Sequence, residues 1–265
     1  MAELFDMELR AFRRDRAARI GPELFLLERA FADCLDRISL VQRTFERALL
    51  IGCPNEKWPE RVRNVADTVD VRDPGALFAI AAKGEQIVED ASRLPARNYD
   101  LVLAVGTLDT VNDLPLALRS IRSAMCAGGF FIGAMSGGDT LPRLRSAMRA
   151  ADQPGGIASA HVHPRVEAAA LAPLLASAGL AMSVVDVDRV RASYASLSRL
   201  VGYLRAMAAT NIQSARSSRP FNRAEYQIAV QSFEAADDGA RTWETFEILH
   251  FAAWAQDGAP GVKHA

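Results

Sequence analysis

The sequence predicts an α/β fold with a doubly wound, mostly parallel sheet, preceded by helices at the N-terminus. Two observations carry this prediction. Residues 99–105 are continuously apolar after Asp100, which is typical of a strand covered on both faces. A helical pattern follows, and residues 130–134 form a second apolar run. Strand, helix and strand in this order predict a parallel β-α-β unit.

The helix of this unit has recognisable ends. Asp113 is predicted to cap its start, and Pro115 lies in the first turn, where proline is tolerated. Residues 128–129, both glycine, are predicted to end it. Its buried stripe is predicted to consist of Leu114, Leu118, Ile121 and Met125.

The rest of the chain extends this pattern in both directions. Residues 1–45 are predicted to be an N-terminal helical segment, and residues 46–265 a single domain with a helical insertion at about 192–236. The apolar stripe of that insertion indicates either a lid over the site or ordinary core packing. Apolar runs predict strands at 49–53, 64–71, 86–90, 181–190 and 243–254, and apolar periodicity predicts helices at 171–178, 197–207 and 223–236.

The turn after the first of these strands is an unusual cofactor loop. In doubly wound folds a glycine-rich G-x-G brings the backbone close to a nucleotide ligand at this point. Only Gly52 is present here, and Pro54 and Glu56 take the next two places where glycine is wanted. Leu50 stands where a carboxylate could hold the cofactor. The loop therefore puts cofactor binding in question.

Composition and charge exclude several classes of protein. The 31 basic and 32 acidic residues argue against a dedicated nucleic-acid binder, and no apolar run is long enough for a transmembrane segment. Acidic residues are interleaved with the N-terminal arginines, which is atypical of a transit peptide. We therefore expect a cytoplasmic protein with reduced cysteines. The arginines at positions 10, 13, 14, 16 and 19 are predicted to form a solvated helix face.

The order of the elements resembles the class I S-adenosylmethionine-dependent methyltransferases, which have a Rossmann-like fold. Residues 111–115 (VNDLP) are similar to the biotin-synthesis methyltransferase branch of that family. Residues 133–141 (GAMSGGDTL), followed by Leu144 and Arg145, are similar to the methyltransferase-like assembly factor of respiratory complex I. The similarity runs from about residue 4 to 255 and is strongest at 99–148.

This resemblance implies S-adenosylmethionine as the cofactor and assigns residues to its site. Ile51, Gly52 and Cys53 stand at the first cofactor loop, and Val105 would pass beneath the methionine part of the ligand. The resemblance places Asp67 at the end of the second strand as the ribose-binding acid. Asp90 and Ala91, followed by Leu94 and Pro95, match the segment that contacts adenine in the family.

Three further residues are candidates for the substrate side. Asp139, beyond the end of a strand, is predicted either to face the substrate crevice or to cap the helix at 141–150, a role that Thr140 could also fill. His161 and His163 form an H-x-H pair without a third nearby ligand, so no metal site is predicted. Members of the family tend to have a histidine here, and the resemblance therefore assigns His161 to substrate contact. Tyr194 is expected at the mouth of the pocket.

The resemblance implies two alternative functions. The first is S-adenosylmethionine-dependent methyl transfer to a small molecule or a protein, which needs alignment more than acid-base groups. The alternative is a non-methylating assembly factor or binding scaffold, with a respiratory complex subunit as its partner. The altered loop around Gly52 leaves both open.

Overall fold

Seven strands form one sheet in the computed structural model, which describes residues 3–156, 158–235 and 241–256. The strands are β1 (Phe45–Ile51), β2 (Ala66–Asp73), β3 (Glu85–Gln86), β4 (Tyr99–Val105), β5 (Met125–Ser136), β6 (Leu180–Tyr194) and β7 (Thr242–Ala255). Their order in the sheet is β3-β2-β1-β4-β5-β7-β6.

The sheet is parallel from β3 to β5 and antiparallel beyond it. β1 pairs with β2 and β4, and β4 pairs with β5, all in parallel, whereas β7 runs antiparallel to both β5 and β6. The chain order reverses between β1 and β4, which is the switch point where doubly wound folds bind ligands. The predicted doubly wound, mostly parallel sheet is confirmed.

Nine α-helices surround the sheet within the described residues. They are α1 (Met7–Ile20), α2 (Phe25–Leu40), α3 (Trp58–Val62), α4 (Ala76–Ala81), α5 (Leu114–Ala124), α6 (Pro142–Asp152), α7 (Ala168–Ser177), α8 (Leu197–Ala206) and α9 (Arg223–Glu234). Asp113 caps α5 as predicted, accepting a hydrogen bond from the Leu116 amide at 2.8 Å. No helix of the described part is long and apolar enough to cross a membrane.

The two faces of the sheet bury separate apolar layers. On one face Leu49, Val102 and Phe131 pack with α5 and α7, and on the other Leu50 and Leu103 pack with α2 and α3. A third apolar cluster joins α6, α8 and α9 to β7. This third cluster holds α8 and α9 against α6 and β7.

Several predicted boundaries were wrong. β2 begins at Ala66 and continues to Asp73, and β3 is only Glu85–Gln86, because the chain turns away from the sheet after two residues. β6 continues to Tyr194 because it pairs with β7 along that whole length. α5 ends at Ala124, before the two glycines, which lie inside β5.

Candidate functional site

The carboxyl edge of the parallel strands forms a crevice beneath α1, α2 and α8. β1 ends there at Ile51, β2 at Asp73 and β4 at Val105. Two adjoining cavities of about 100 and 220 Å³ remain in this crevice. Both cavities are lined by Leu141, His163, Arg165, Leu204 and Ala209.

The N-terminal segment is fastened across this crevice. The Phe5 amide donates to Asn112 Oδ1 at 2.8 Å, and Asn112 Nδ2 donates back to the Phe5 carbonyl at 3.0 Å. The Asp6 amide donates to the carbonyl of Ile212 at 2.9 Å, and its carboxylate caps α1 by accepting from the Leu9 amide. α1 is therefore held over the ends of the strands.

Arg14 of α1 reaches into the crevice and pairs with the acid at the end of β2. Arg14 Nε and Nη2 donate to the two oxygens of Asp73 at 2.8 and 2.6 Å. Asp73 also accepts from the backbone amides of Cys53 and Gly75, each at 2.7 Å. Four hydrogen bonds therefore engage both oxygens of this buried carboxylate.

Arg10, one helical turn earlier, forms a second buried pair. Its Nη1 and Nη2 donate to the two oxygens of Glu89 at 2.7 and 2.9 Å, and Nη2 also donates to the Thr107 carbonyl at 2.7 Å. Arg10 and Arg14 are only 4% and 6% exposed. The prediction of a solvated arginine face was therefore wrong for these two residues, because each has a carboxylate partner inside the crevice.

The predicted cofactor loop is closed by contacts within the chain. Gly52 has φ +84°, and a Cβ there would lie 2.3 Å from the Val105 carbonyl oxygen. The Gly52 amide donates to the Arg72 carbonyl at 2.8 Å, and the Cys53 amide donates to Asp73. Packing between β1 and β4 therefore requires this glycine, and both amides of the loop already have partners.

The predicted cofactor residues are only partly brought together. Ile51, Gly52, Cys53 and Val105 lie side by side at the crevice, all buried. Asp67 does not lie with them: it is the second residue of β2, exposed, at the opposite edge of the sheet. The prediction that it ends the strand was wrong, because β2 begins at Ala66 and continues for six residues beyond Asp67, to Asp73.

The predicted adenine-contacting segment lies beside the start of α5. Asp90 accepts a hydrogen bond from the Asp113 amide at 2.8 Å, while Ala91 is exposed. The Asp90 carboxylate therefore helps to position the residue that caps α5.

The glycine-rich turn after β5 does not cap α6 with its own side chains. Asp139 is exposed, and Leu141 is the N-cap residue, with φ +62°. Glu244 of β7 accepts from the Leu144 amide at 2.8 Å and from the Arg143 amide at 3.3 Å. The capping alternative for Asp139 and Thr140 was therefore wrong, because a carboxylate from a distant strand occupies that place.

The two histidines of the H-x-H pair have different surroundings. His161 Nε2 lies 2.9 Å from Asp152 Oδ1, and the residue lines the larger cavity. His163 is buried and its Nε2 accepts from the Ile212 amide at 2.9 Å. Burial, with the positive charge of Arg165 beside it, lowers the pKa of His163 to about 3. His163 is therefore neutral near pH 7 and holds the loop beneath α1.

Tyr194 lies in the apolar cluster rather than at an open mouth. It is 7% exposed and packs edge-on against Tyr203 and Phe246. Burial raises the pKa of its hydroxyl to about 12. The residue belongs to the packing beneath α8.

Arg165 is a site residue that no sequence pattern indicated. Its side chain is 4% exposed, and Nη1 donates to Asp109 Oδ2. Its Nε is buried without a hydrogen-bond partner in the described chain. Among the described residues no group of histidine, cysteine and acidic side chains could hold a metal ion.

The other residues that sequence reasoning missed are the acids Asp73 and Glu89 and their arginine partners. The spacing of four between Arg10 and Arg14 places both on one helix face, and this was the available signal. Nothing in the sequence indicates that this face points inward.

Two groups of known proteins are similar in sequence to this chain. No family model matches the chain. The chain is 29% identical over 267 residues to arginine-hydroxylase NDUFAF5 of Danio rerio, covering 95% of this chain and 82% of that relative. It is 28% identical over 180 residues to a malonyl-[acyl-carrier protein] O-methyltransferase of Xylella fastidiosa, covering 67% and 59% of the two chains.

Solved structures share the architecture. The YcgJ protein from Bacillus subtilis superposes with a TM-score of 0.59 at 11% identity, covering 86% of this chain and 100% of that one. At this identity the likeness shows the fold alone.

The expectation of a cytoplasmic protein was wrong in light of these relatives. The arginine-hydroxylases of Danio rerio and Mus musculus are both named as mitochondrial. Interleaved acids near the N-terminus were therefore an unsound basis for assigning a compartment.

Proposed function

We propose that this chain, which belongs to the class I S-adenosylmethionine-dependent methyltransferase superfamily, is a respiratory complex I assembly factor that does not transfer methyl groups. Its crevice is held shut by α1, and the protein acts by binding a subunit of the complex. The closed crevice supports the loss of methyl transfer, and the similarity to known relatives supports the assembly role.

The single observation behind the loss of methyl transfer is the pair of buried ion pairs, Arg10–Glu89 and Arg14–Asp73. A ribose diol needs a carboxylate with free acceptor positions, and Asp73 already accepts four hydrogen bonds. Leu27 also approaches the backbone over β4, since a Cβ on Gly106 would lie 2.5 Å from its Cδ2. The residues present do not fit S-adenosylmethionine in this arrangement.

Opening the crevice for a cofactor is costly. Each ion pair has side chains at most 7% exposed, and separating such a pair leaves a buried charge without its partner. That costs about 3–5 kcal/mol for a single buried pair. The binding free energy of a cofactor would have to exceed the cost of separating both ion pairs before it could bind.

The link to complex I rests on the relatives. The match to the arginine-hydroxylase NDUFAF5 of Danio rerio extends over 95% of this chain. The residue block 133–141 resembles the complex I assembly factor of the superfamily. The match to the malonyl-carrier methyltransferase of Xylella fastidiosa is shorter, at 67% of this chain.

Titration with S-adenosylmethionine and S-adenosylhomocysteine tests the loss of cofactor binding. We expect no heat of binding and no change in melting temperature at millimolar ligand. A ligand that binds the native state at 100 times its Kd stabilises it by about 2.7 kcal/mol, which a thermal scan resolves. Stabilisation of that size would overturn the non-methylating assignment.

Complementation tests the assembly role. The chain, fused to a mitochondrial targeting sequence, is expressed in human cells that lack NDUFAF5, and complex I is followed on native gels. We expect partial restoration of the assembled complex, with the human protein as positive control and an empty vector as negative control. Soluble expression without any restored complex would contradict the assignment.

Methyl transfer remains the second candidate because two residues of the expected cofactor site match the family's sequence. Asp90 and Ala91 keep the family's sequence, and Asp90 lies beside the amide of Asp113. If the titration above detects binding, Asp90→Ala is expected to weaken it, with the exposed Asp67→Ala as the unaffected control.

A further inference from the structure

The larger cavity of the crevice has the composition of a binding site for an aliphatic acid. We propose that it holds a small aliphatic carboxylate, with the carboxylate on Arg165 and the hydrocarbon chain between α6 and α8. This inference goes beyond the assembly role and does not depend on whether S-adenosylmethionine binds.

The guanidinium of Arg165 is the anchoring group. Nη1 donates to Asp109, but Nε is buried without a partner in the described chain, and no hydrogen bond is formed by Nη2 there. Buried donors in folded proteins almost always have an acceptor. The Nε–Nη2 edge of Arg165 therefore calls for one. A carboxylate accepts two parallel N–H bonds from such an edge.

The walls away from Arg165 are hydrocarbon. The cavity encloses about 220 Å³ and is lined on the α6 side by Leu144 and Met148 and on the α8 side by Leu197, Val201 and Leu204. An apolar chain placed there is removed from water, and this burial favours binding in proportion to the apolar area that is covered. The lining therefore favours an aliphatic group next to the charged end.

Three other polar residues of the cavity have hydrogen-bond partners. His161 is paired with Asp152, and Asn211 Nδ2 donates to the Ala160 carbonyl at 2.6 Å. His163 accepts from the Ile212 amide. Among the side-chain atoms of the described wall, Arg165 Nε is therefore the one that is buried without a hydrogen-bond partner.

The charges around the crevice select against a cation. Arg10, Arg14 and Arg165 all line the smaller cavity, which adjoins the larger one. The carboxylates of Glu89, Asp73 and Asp109 are each engaged by one of these arginines. An arginine side chain entering the cavity would meet Arg165 without a free carboxylate to pair with.

Calorimetric titration of the full chain with hexanoate, hexanol and hexylamine tests this assignment. We expect hexanoate to bind about tenfold or more tightly than hexanol, because a hydrogen bond to an ionised group is about twice as strong as one between neutral groups. Hexylamine is expected not to bind. Absence of hexanoate binding at millimolar concentration, equal affinity for the acid and the alcohol, or preference for the amine would each overturn the proposal.

Variants distinguish the contribution of Arg165 from that of the apolar walls of the larger cavity. Arg165→Met is expected to lose the preference for the acid, and Asp109→Asn combined with Arg165→Met repeats the test without leaving Asp109 unpaired. Val201→Phe narrows the larger cavity and is expected to weaken hexanoate binding about tenfold, while acetate binding is unchanged. Arg149→Met, at an exposed position on α6, is the matched control and is expected to bind like the wild type. Undiminished hexanoate affinity in a folded Arg165 variant would contradict the assignment of the anchor.

Discussion

Arg14 of α1 and Asp73 at the end of β2 form a bidentate ion pair across 59 residues of sequence, with both hydrogen bonds at 2.8 Å or less. The pair places a helix side chain where the fold otherwise offers a carboxylate to a ligand. Arg10 and Glu89 repeat the arrangement one turn away. Together the two pairs fasten α1 over the crevice.

Arg14→Ala is expected to reduce the free energy of unfolding by about 3–5 kcal/mol, because it leaves the Asp73 carboxylate buried without its partner. Urea denaturation followed by circular dichroism measures the change. The exposed Arg19→Ala is the matched control on the same helix and should stay within about 0.5 kcal/mol of the wild type. Similar losses in the two variants would mean that the Arg14–Asp73 pair does not fasten α1.

Gly52→Ala is expected to destabilise the protein much more than Gly128→Ala. Both glycines have positive φ, +84° and +65°, so both variants incur the strain of a left-handed alanine, about 1–2 kcal/mol. The Gly52 variant in addition drives its Cβ to 2.3 Å from the Val105 carbonyl, whereas a Cβ on Gly128 meets nothing within 4 Å. We expect a further loss of at least about 2 kcal/mol for Gly52→Ala in chemical denaturation. Equal losses would show that the β1–β4 contact can relax.

The sheet could be predicted from the sequence because its central strands are buried on both faces. β4 is buried at every residue, and its apolar run is interrupted only by Asp100. β2 was harder to delimit, because Asp70 and Arg72 interrupt its apolar residues. The apolar residues of β2 end at Val71, so the pattern could not show that the strand continues through Arg72 to Asp73.

The site was less predictable because its key contacts are long-range. Asp73 could be located only once Arg14 was known to face it, and local sequence pattern carries no information on a partner 59 residues away. The same holds for Glu244, which caps α6 from about 100 residues farther along the chain. The altered loop at Gly52 could be singled out from the sequence, since glycine spacing is a local signal.

Glu244→Ala is expected to destabilise the protein by about 1–3 kcal/mol, because it removes the acceptor for the first amides of α6, including that of Leu144. Glu244→Gln keeps an acceptor oxygen and should recover part of the loss. Asp139→Ala, at the exposed position in the turn before α6, is expected to change stability by less than about 0.5 kcal/mol. Thermal unfolding of the three variants checks this order, and a larger effect at Asp139 would restore that residue as the cap.

His163 is expected to make the protein less stable as the pH falls from about 6.5 towards 5. Burial lowers its pKa from 6.5 to about 3 in the folded chain, so between these values the unfolded chain binds the proton and the folded chain does not. The stabilisation is therefore fully present above pH 6.5 and decreases as the pH falls, by about 1.4 kcal/mol per unit at most. His163→Gln keeps an acceptor for the Ile212 amide and does not titrate, so its stability should fall about 2 kcal/mol less than that of the wild type between pH 7 and pH 5. Urea titrations at both pH values measure the difference, and parallel pH profiles for the two proteins would show that His163 is protonated inside the folded chain.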